Sequence, residues 1–476
     1  MSMWFDRFAG VLLVAALSGG FAGAAEKDPA RIVLEDPVQF EALLQKGEAA
    51  LPELVAGLKG PRPDLAVQGM GRLKLPSAVP ALLPLAADPD GELRAAVAWA
   101  LGECRDPQSV AALIRLARDP YAPTRAAAML ALAELRRPEA DTVLKAGCAD
   151  PDGSVRLAAI NAVRLAGRKD LAMCLTGLLA YEALPENAAK PAANDPLAAF
   201  SETVVWKEPN PQMRLAVVRA FAELKNPETV PTLILVLERE TDFNRREVIR
   251  GLLGMGPSVA PVCLGRITTT PYEKDAFERY LPLLINNSTL AVIAGRLGDE
   301  RCVPYLRETL KLPRQHLGAD PVLTDLYIQT IDLLGRYRVE RAAGPLVDLL
   351  KENSVKEVAD AIEAALRQIG RRASQPLATR LDSYQLAPLF FRLLRDPELR
   401  SRAARDTIVK YLTEESDEVR LEATETLGLY LYEGLLDEYD MPLLEVMELD
   451  SNSGIGQSAT QWRFKIGQKR GNSDGF

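Results

Sequence analysis

Three stretches of this chain align without a gap. Asp88-Pro89 stands ahead of Arg94, Asp119-Pro120 ahead of Arg125, and Asp150-Pro151 ahead of Arg156. In each, the aspartate precedes the arginine by six residues, and the arginines recur every 31. Arg214 and Arg245 resume the 31-residue interval after a gap of 58, one period and a further 27. A fixed period of this length restricts the fold severely. Each unit is too small to bury its own apolar faces, so neighbours must stack into an array.

Within a unit the apolar spacing is helical. Ala95, Val97, Ala98 and Leu101 give a small-residue face closed by Gly102, which permits close helix approach. Asp106-Pro107 then opens a second helix, with proline where a missing N–H costs nothing. Val110, Leu113, Ile114 and Ala117 fall at i, i+3, i+4 and i+7. The same opening recurs as Val79-Pro80-Ala81-Leu82, Val230-Pro231-Thr232-Leu233, Val303-Pro304-Tyr305-Leu306 and Gly344-Pro345-Leu346-Val347. The expected fold is all-α, an α-solenoid of stacked antiparallel helix pairs. Gly251 to Gly256 reads as a helix end, and Asn286-Asn287-Ser288-Thr289 as a turn with a cap that also contains glycosylation acceptors.

The Asp-Pro, Val/Leu-Arg, Ala-x-x-Ala-Leu-Gly and Val-Pro elements resemble the HEAT repeats, in particular the short phycobilisome-lyase HEAT-like form. The resemblance covers residues 64–180 and 209–266 and is looser from 288 to 430. It implies a structural ladder of Asp88, Arg94, Asp119, Arg125, Asp150, Arg156, Arg214 and Arg245. Each aspartate is expected to cap a helix, and each arginine to pair with the turn carboxylate of a neighbour. Tyr327 is expected in an arginine-equivalent place. An anion-binding ladder is the competing reading.

Chemistry is restricted by a single histidine, His316, which no glutamate follows. That sets the chain apart from the HEAT-like deoxyhypusine hydroxylases, whose iron is held by His-Glu pairs. No cofactor is expected and no catalytic constellation can be named. Residues 88–170 hold 12 acidic and 12 basic side chains, so no basic stripe points to nucleic acid.

Residues 1–25 read as a signal peptide. Arg7 precedes an apolar centre at Val11–Leu17, and Ala22-Gly23-Ala24 offers a small-x-small cleavage site. An uncleaved anchor is the alternative, and no later run is long and apolar enough to span a bilayer. The product is therefore expected to be periplasmic or secreted. Five cysteines form no disulfide framework; if one bridge exists, Cys104 with Cys148 or Cys174 is the expected pair.

The remaining boundaries are repeats over 26–180, a Pro/Ala-rich insertion at 181–208, continuing repeats over 209–450, and a flexible basic tail at 451–476. Net charge is −8, yet Glu414–Asp450 alone carries 13 acids against Arg420. This acidic cap reads as a solvated terminal face, or as a dock for a cationic partner or divalent ions. The tail's Trp462-Arg463-Phe464-Lys465-Ile466 alternates like a short strand, and its net charge of +3 is expected to bring it back onto the acidic helices.

The functional expectation is a non-catalytic scaffold or adaptor for another envelope or secreted protein, of unknown oligomeric state. The alternative is a lyase-type enzyme or enzyme-regulatory subunit. Candidate contact residues are Arg115, Arg118 and Lys145 on second helices, with Tyr181, Phe200 and Trp206 on the insertion and Trp462 in the tail.

Overall fold

A computed structural model describes residues 34, 36–183, 204–239, 242–268, 277–312, 314, 317–352, 355–380 and 386–473. The signal segment, Phe200 and His316 lie outside the described residues. The chain divides into two compact units, one ending at Cys174 and the other beginning at Leu175.

The first unit contains α1 (Pro37–Leu44), α2 (Leu51–Gly57), α3 (Pro63–Leu73), α4 (Val79–Leu82), α5 (Gly91–Cys104), α6 (Val110–Leu116), α7 (Ala122–Leu135), α8 (Asp141–Gly147) and α9 (Gly153–Ala166). Helices α5, α7 and α9 start at 31-residue intervals and pack side by side, α5 on α7 and α7 on α9. Small residues allow this. A Cβ on Gly102 would lie 2.7 Å from the Ala131 Cα of the next first helix, so only glycine fits there. Each second helix is entered through a 3-10 turn, Pro107–Ser109 or Pro138–Ala140, rather than directly. The turns end on Ala78, Ser109 and Ala140, spaced by 31 and fully buried.

The second unit opens on an antiparallel ribbon of β1 (Tyr181–Ala183) and β2 (Val204–Trp206), with Tyr181 opposite Trp206. It forms the base of the expected insertion. Helix pairs then resume as α10 (Pro211–Leu224), α11 (Val230–Arg239), α12 (Asp242–Met255), α13 (Ala260–Arg266), α14 (Phe277–Arg296), α15 (Val303–Thr309), α16 (Pro321–Arg336) and α17 (Ala343–Glu352). They continue as α18 (Lys356–Ile369), α19 (Ser374–Thr379), α20 (Ala387–Leu394), α21 (Arg405–Tyr411), α22 (Asp417–Glu433), α23 (Met441–Met447) and α24 (Ser453–Ser473). One apolar core runs from Ala260 through Tyr327, Phe390 and Phe391 to Ile466. Both units are thus stacks of helix pairs, as the period requires.

Two local expectations are corrected. Residues 286–289 lie inside α14, not at a turn. Asn286 and Ser288 are buried there, and the Thr289 hydroxyl donates back to the Ile285 carbonyl at 2.7 Å. Residues 453–473 form helix α24 instead of a strand in a flexible tail. Ile455, Ala459, Trp462 and Ile466 fall at i, i+4, i+7 and i+11, and that helical stripe faces α22. Five alternating residues were too short a window to outweigh it.

Candidate functional site

The ladder arginines stand at the fourth position of first helices, one turn in from the N-terminus. Arg94 donates from Nε and Nη2 to the two carboxylate oxygens of Asp119, both at 2.7 Å. Its Nη1 donates to the carbonyls of Asp88 and Pro89, at 2.7 and 3.1 Å. Arg125 repeats the arrangement on Asp150, with Nη1 on the Asp119 and Pro120 carbonyls. Arg156 and Arg214 place Nη1 on Asp150 and Pro151, and on Glu208 and Pro209. The planar five-donor guanidinium matches one carboxylate and two carbonyls at once, which an ammonium could not.

The carboxylate does not cap the helix as expected. Asp88, Asp119 and Asp150 each accept from the backbone N–H two residues on, forming a turn. The capping position falls to that next residue: Asp90 accepts from Glu92 N–H and Asp152 from Ser154 N–H. With the cap taken by the later residue, Asp119 and Asp150 meet the arginine of the preceding pair. That hydrogen-bonded arginine holds the Asp119 carboxyl below the usual carboxylate range.

The second unit varies the theme. Arg245 donates to the Leu237 carbonyl and to the Thr289 hydroxyl, each at 2.8 Å. Arg420, at the fourth position of α22, restores the full set with Asp450 and the Glu414 and Glu415 carbonyls. Tyr327 is one turn past the arginine place in α16, which Thr324 occupies. Its hydroxyl still donates to a buried carbonyl, that of Leu312, at 2.6 Å.

A second set of inter-pair contacts escaped the sequence reading. First helices end on left-handed residues, Lys74, Arg105 and Arg136, with φ of 53°, 53° and 50°. Lys74 pairs with Glu103 and Arg105 with Glu134, each 29 residues on. The 31-residue spacing of these basic residues, with Gly167 next in phase, was the available signal.

Arg115 on α6 and Lys145 on α8 are exposed, as is Arg118 in the turn that follows α6, and among the described residues none of them is in an ion pair. The aromatic candidates are placed differently. Trp206 is half-buried beneath the Arg214 guanidinium, 5.2 Å from the ring centre. Tyr181 pairs with it through the ribbon backbone. Trp462 lies against Gly428 in α22 and donates its indole N–H to Glu425 at 3.0 Å. It is half-buried, packed against its own chain. Of the cysteines, Cys148 meets Cys174, while Cys104 is buried apart from both.

A model of HEAT repeats matches residues 51–133 and again 79–164. Residues 51–164 are HEAT repeats. No curated protein matches the sequence. Among solved structures, the CpcE–CpcF complex of phycocyanin lyase from a Nostoc species matches at 18% identity, covering 66% of this chain and 93% of that one, with a TM-score of 0.27. Kap95p, solved with RanGDP, matches at 13% identity and a TM-score of 0.43; the match covers 91% of this chain but 59% of Kap95p.

The helix pairs at the C-terminal end pair much of their acidic run with arginines. Asp440 receives Arg405 at 2.5 Å, Glu433 receives Arg400 at 2.8 Å, and Glu422 and Asp437 receive Arg395 and Arg402. Helix α24 supplies Arg463 to Glu445 and Glu448, and Arg470 to Glu438. The cap is therefore largely neutralised by basic residues of the preceding pair and the last helix. A cleft of about 390 Å³ between α20 and α22, lined by Arg392, Arg395, Glu418 and Glu422, belongs to the same network. Among the described residues no three His, Cys, Asp or Glu side chains converge as a metal site, and no single helix is long and apolar enough to cross a membrane.

Proposed function

We propose that this protein is a non-catalytic scaffold, exported to the periplasm or secreted, that holds another envelope or secreted protein on its second helices. One observation carries the reading. The ladder ties up the recurring Asp and Arg of the HEAT pairs in stacking, whereas Arg115, Arg118 and Lys145 stand exposed without ion pairs on or just after successive second helices. Unpaired cations on a rigid surface suit an acidic partner, and stacked helices hold such a surface with little ordering on binding. The apolar run at Val11–Leu17 with Ala22-Gly23-Ala24 supports export.

The test joins two measurements. The chain is captured with its partners from envelope extract, beside a triple variant Arg115→Glu, Arg118→Glu, Lys145→Glu whose helicity is checked by circular dichroism. A partner retained by the parent, weakened by salt and lost from the folded triple variant is the expected result. Equal recovery by both proteins would remove this surface from the proposal.

A further inference from the structure

The two cysteines that meet occupy unlike positions. Cys148 ends α8 and is buried, whereas Cys174 lies in the 3-10 segment Lys169–Leu179 and is partly exposed, next to the exposed Met173. In the 31-residue phase, Cys174 takes the place that Val143 holds in α8. The pair therefore bridges two successive second-helix layers of the first unit, with α9 in the loop between them. Their sulfurs are 2.8 Å apart. An approach of under 1 Å separates that contact from a disulfide bond of about 2.05 Å.

We infer that Cys148 and Cys174 are a dithiol site that closes into a reversible disulfide, with Cys174 as the attacking thiolate. The asymmetry of the pair sets the roles. The two sulfurs share a hydrogen bond in which either can donate; with Cys148 as the donor and Lys145 nearby, the Cys174 thiol is held below its ordinary range. Cys148 is pushed the other way by that hydrogen bond and by burial. Burial, with Glu103 and Asp106 adding to it, raises Cys104 to about 11, and burial alone raises Cys263 to about 12. Only Cys174 combines a favoured thiolate with access from solvent, and the thiolate is the nucleophile in exchange.

The oxidant is a disulfide, either a small one such as oxidised glutathione or one carried by a protein. The Cys174 thiolate attacks one of its sulfurs, forming a mixed disulfide and releasing a thiolate. Cys148 then loses its proton and attacks the Cys174 sulfur, expelling the second thiolate. Two protein thiols are oxidised by two electrons, and one external disulfide is reduced to two thiols. The product covalently ties one second-helix layer to the next across 26 residues and removes that freedom from the unfolded chain.

The experiment uses the full chain, reduced and then equilibrated with oxidised and reduced glutathione. Remaining thiols are counted by maleimide mass shift after denaturation, and cross-linked peptides are mapped. Two of the five thiols are expected to disappear into one Cys148–Cys174 peptide pair, with the melting temperature rising by about 5–10 °C. Cys104→Ser is expected to behave like the parent, and Cys174→Ser to lose the reaction. In the reduced parent, brief alkylation at neutral pH is expected to label Cys174 first. Five surviving thiols, a different peptide pair, first labelling at another cysteine, or no rise in melting temperature would each overturn the inference.

Discussion

Asp119 shows how one side chain serves two pairs. It turns its own loop through the Tyr121 N–H and accepts both arms of Arg94 from the pair before it. The ion pair is nearly shielded from water, with side-chain exposures of 13% for Arg94 and 8% for Asp119. Removing one partner of a shielded pair leaves the other desolvated without compensation. Asp119→Ala is therefore expected to lower stability by about 2–3 kcal/mol, whereas Glu134→Ala, which breaks the exposed pair with Arg105, is expected to change it by less than about 1 kcal/mol. Urea unfolding of both variants separates the cases, and equal midpoints would contradict the ladder's structural role. The left-handed ends of first helices give an opposite expectation. Arg105 holds φ 53°, a conformation that disfavours any side chain. Arg105→Gly relieves this and forfeits only a surface ion pair, so a gain of about 0.5 kcal/mol is expected. A fall in its urea midpoint would mean that the pair with Glu134 outweighs the backbone strain.

Among the elements, α24 separates what could be read from the sequence from what could not. The repeat was legible because Asp-Pro and Arg serve the same contact from Arg94 to Arg125, so one spacing recorded both local turn and long-range partner. The helix pairs followed from it. The fate of Asp88 was less legible: a sequence places an aspartate before a helix but does not divide the work of turn and cap between Asp88 and Asp90. The packing of Trp462 was hidden for another reason. Exposure of Trp462 depends on Gly428, 34 residues earlier, leaving space for its ring, and no local pattern carries that information. The charge opposition between tail and cap was readable, and it has a measurable consequence. Truncation after Asp450 removes Arg463 and Arg470 from their glutamates and uncovers the α22 face beneath Ile455, Ala459 and Trp462. The truncated chain is expected to melt lower, and added salt is expected to narrow the gap only partly, because apolar burial outlasts screening. Identical melting curves would mean that α24 contributes nothing to the core.

For the whole molecule, the net charge of −8 says less than where its carboxylates are held. Ladder pairing depresses Asp119 through Arg94, and Asp450 through Arg420. A carboxyl depressed in the folded state adds stability that is present above its unfolded value of about 3.9 and lost as pH falls through the folded value. Stability is thus expected to hold through neutral pH and to decline below about pH 4, where protonation cuts the links between stacked pairs. Because the links recur along the array, the decline should be steeper than that of a variant missing one of them. Asp119→Asn keeps the side chain's shape but cannot titrate, so it starts less stable at pH 7 and loses less between pH 5 and pH 3. Urea midpoints of both proteins across that interval decide the matter. Parallel curves would place the acid sensitivity outside the ladder, in the self-repulsion of a chain whose 57 basic residues stay charged as its acids are neutralised.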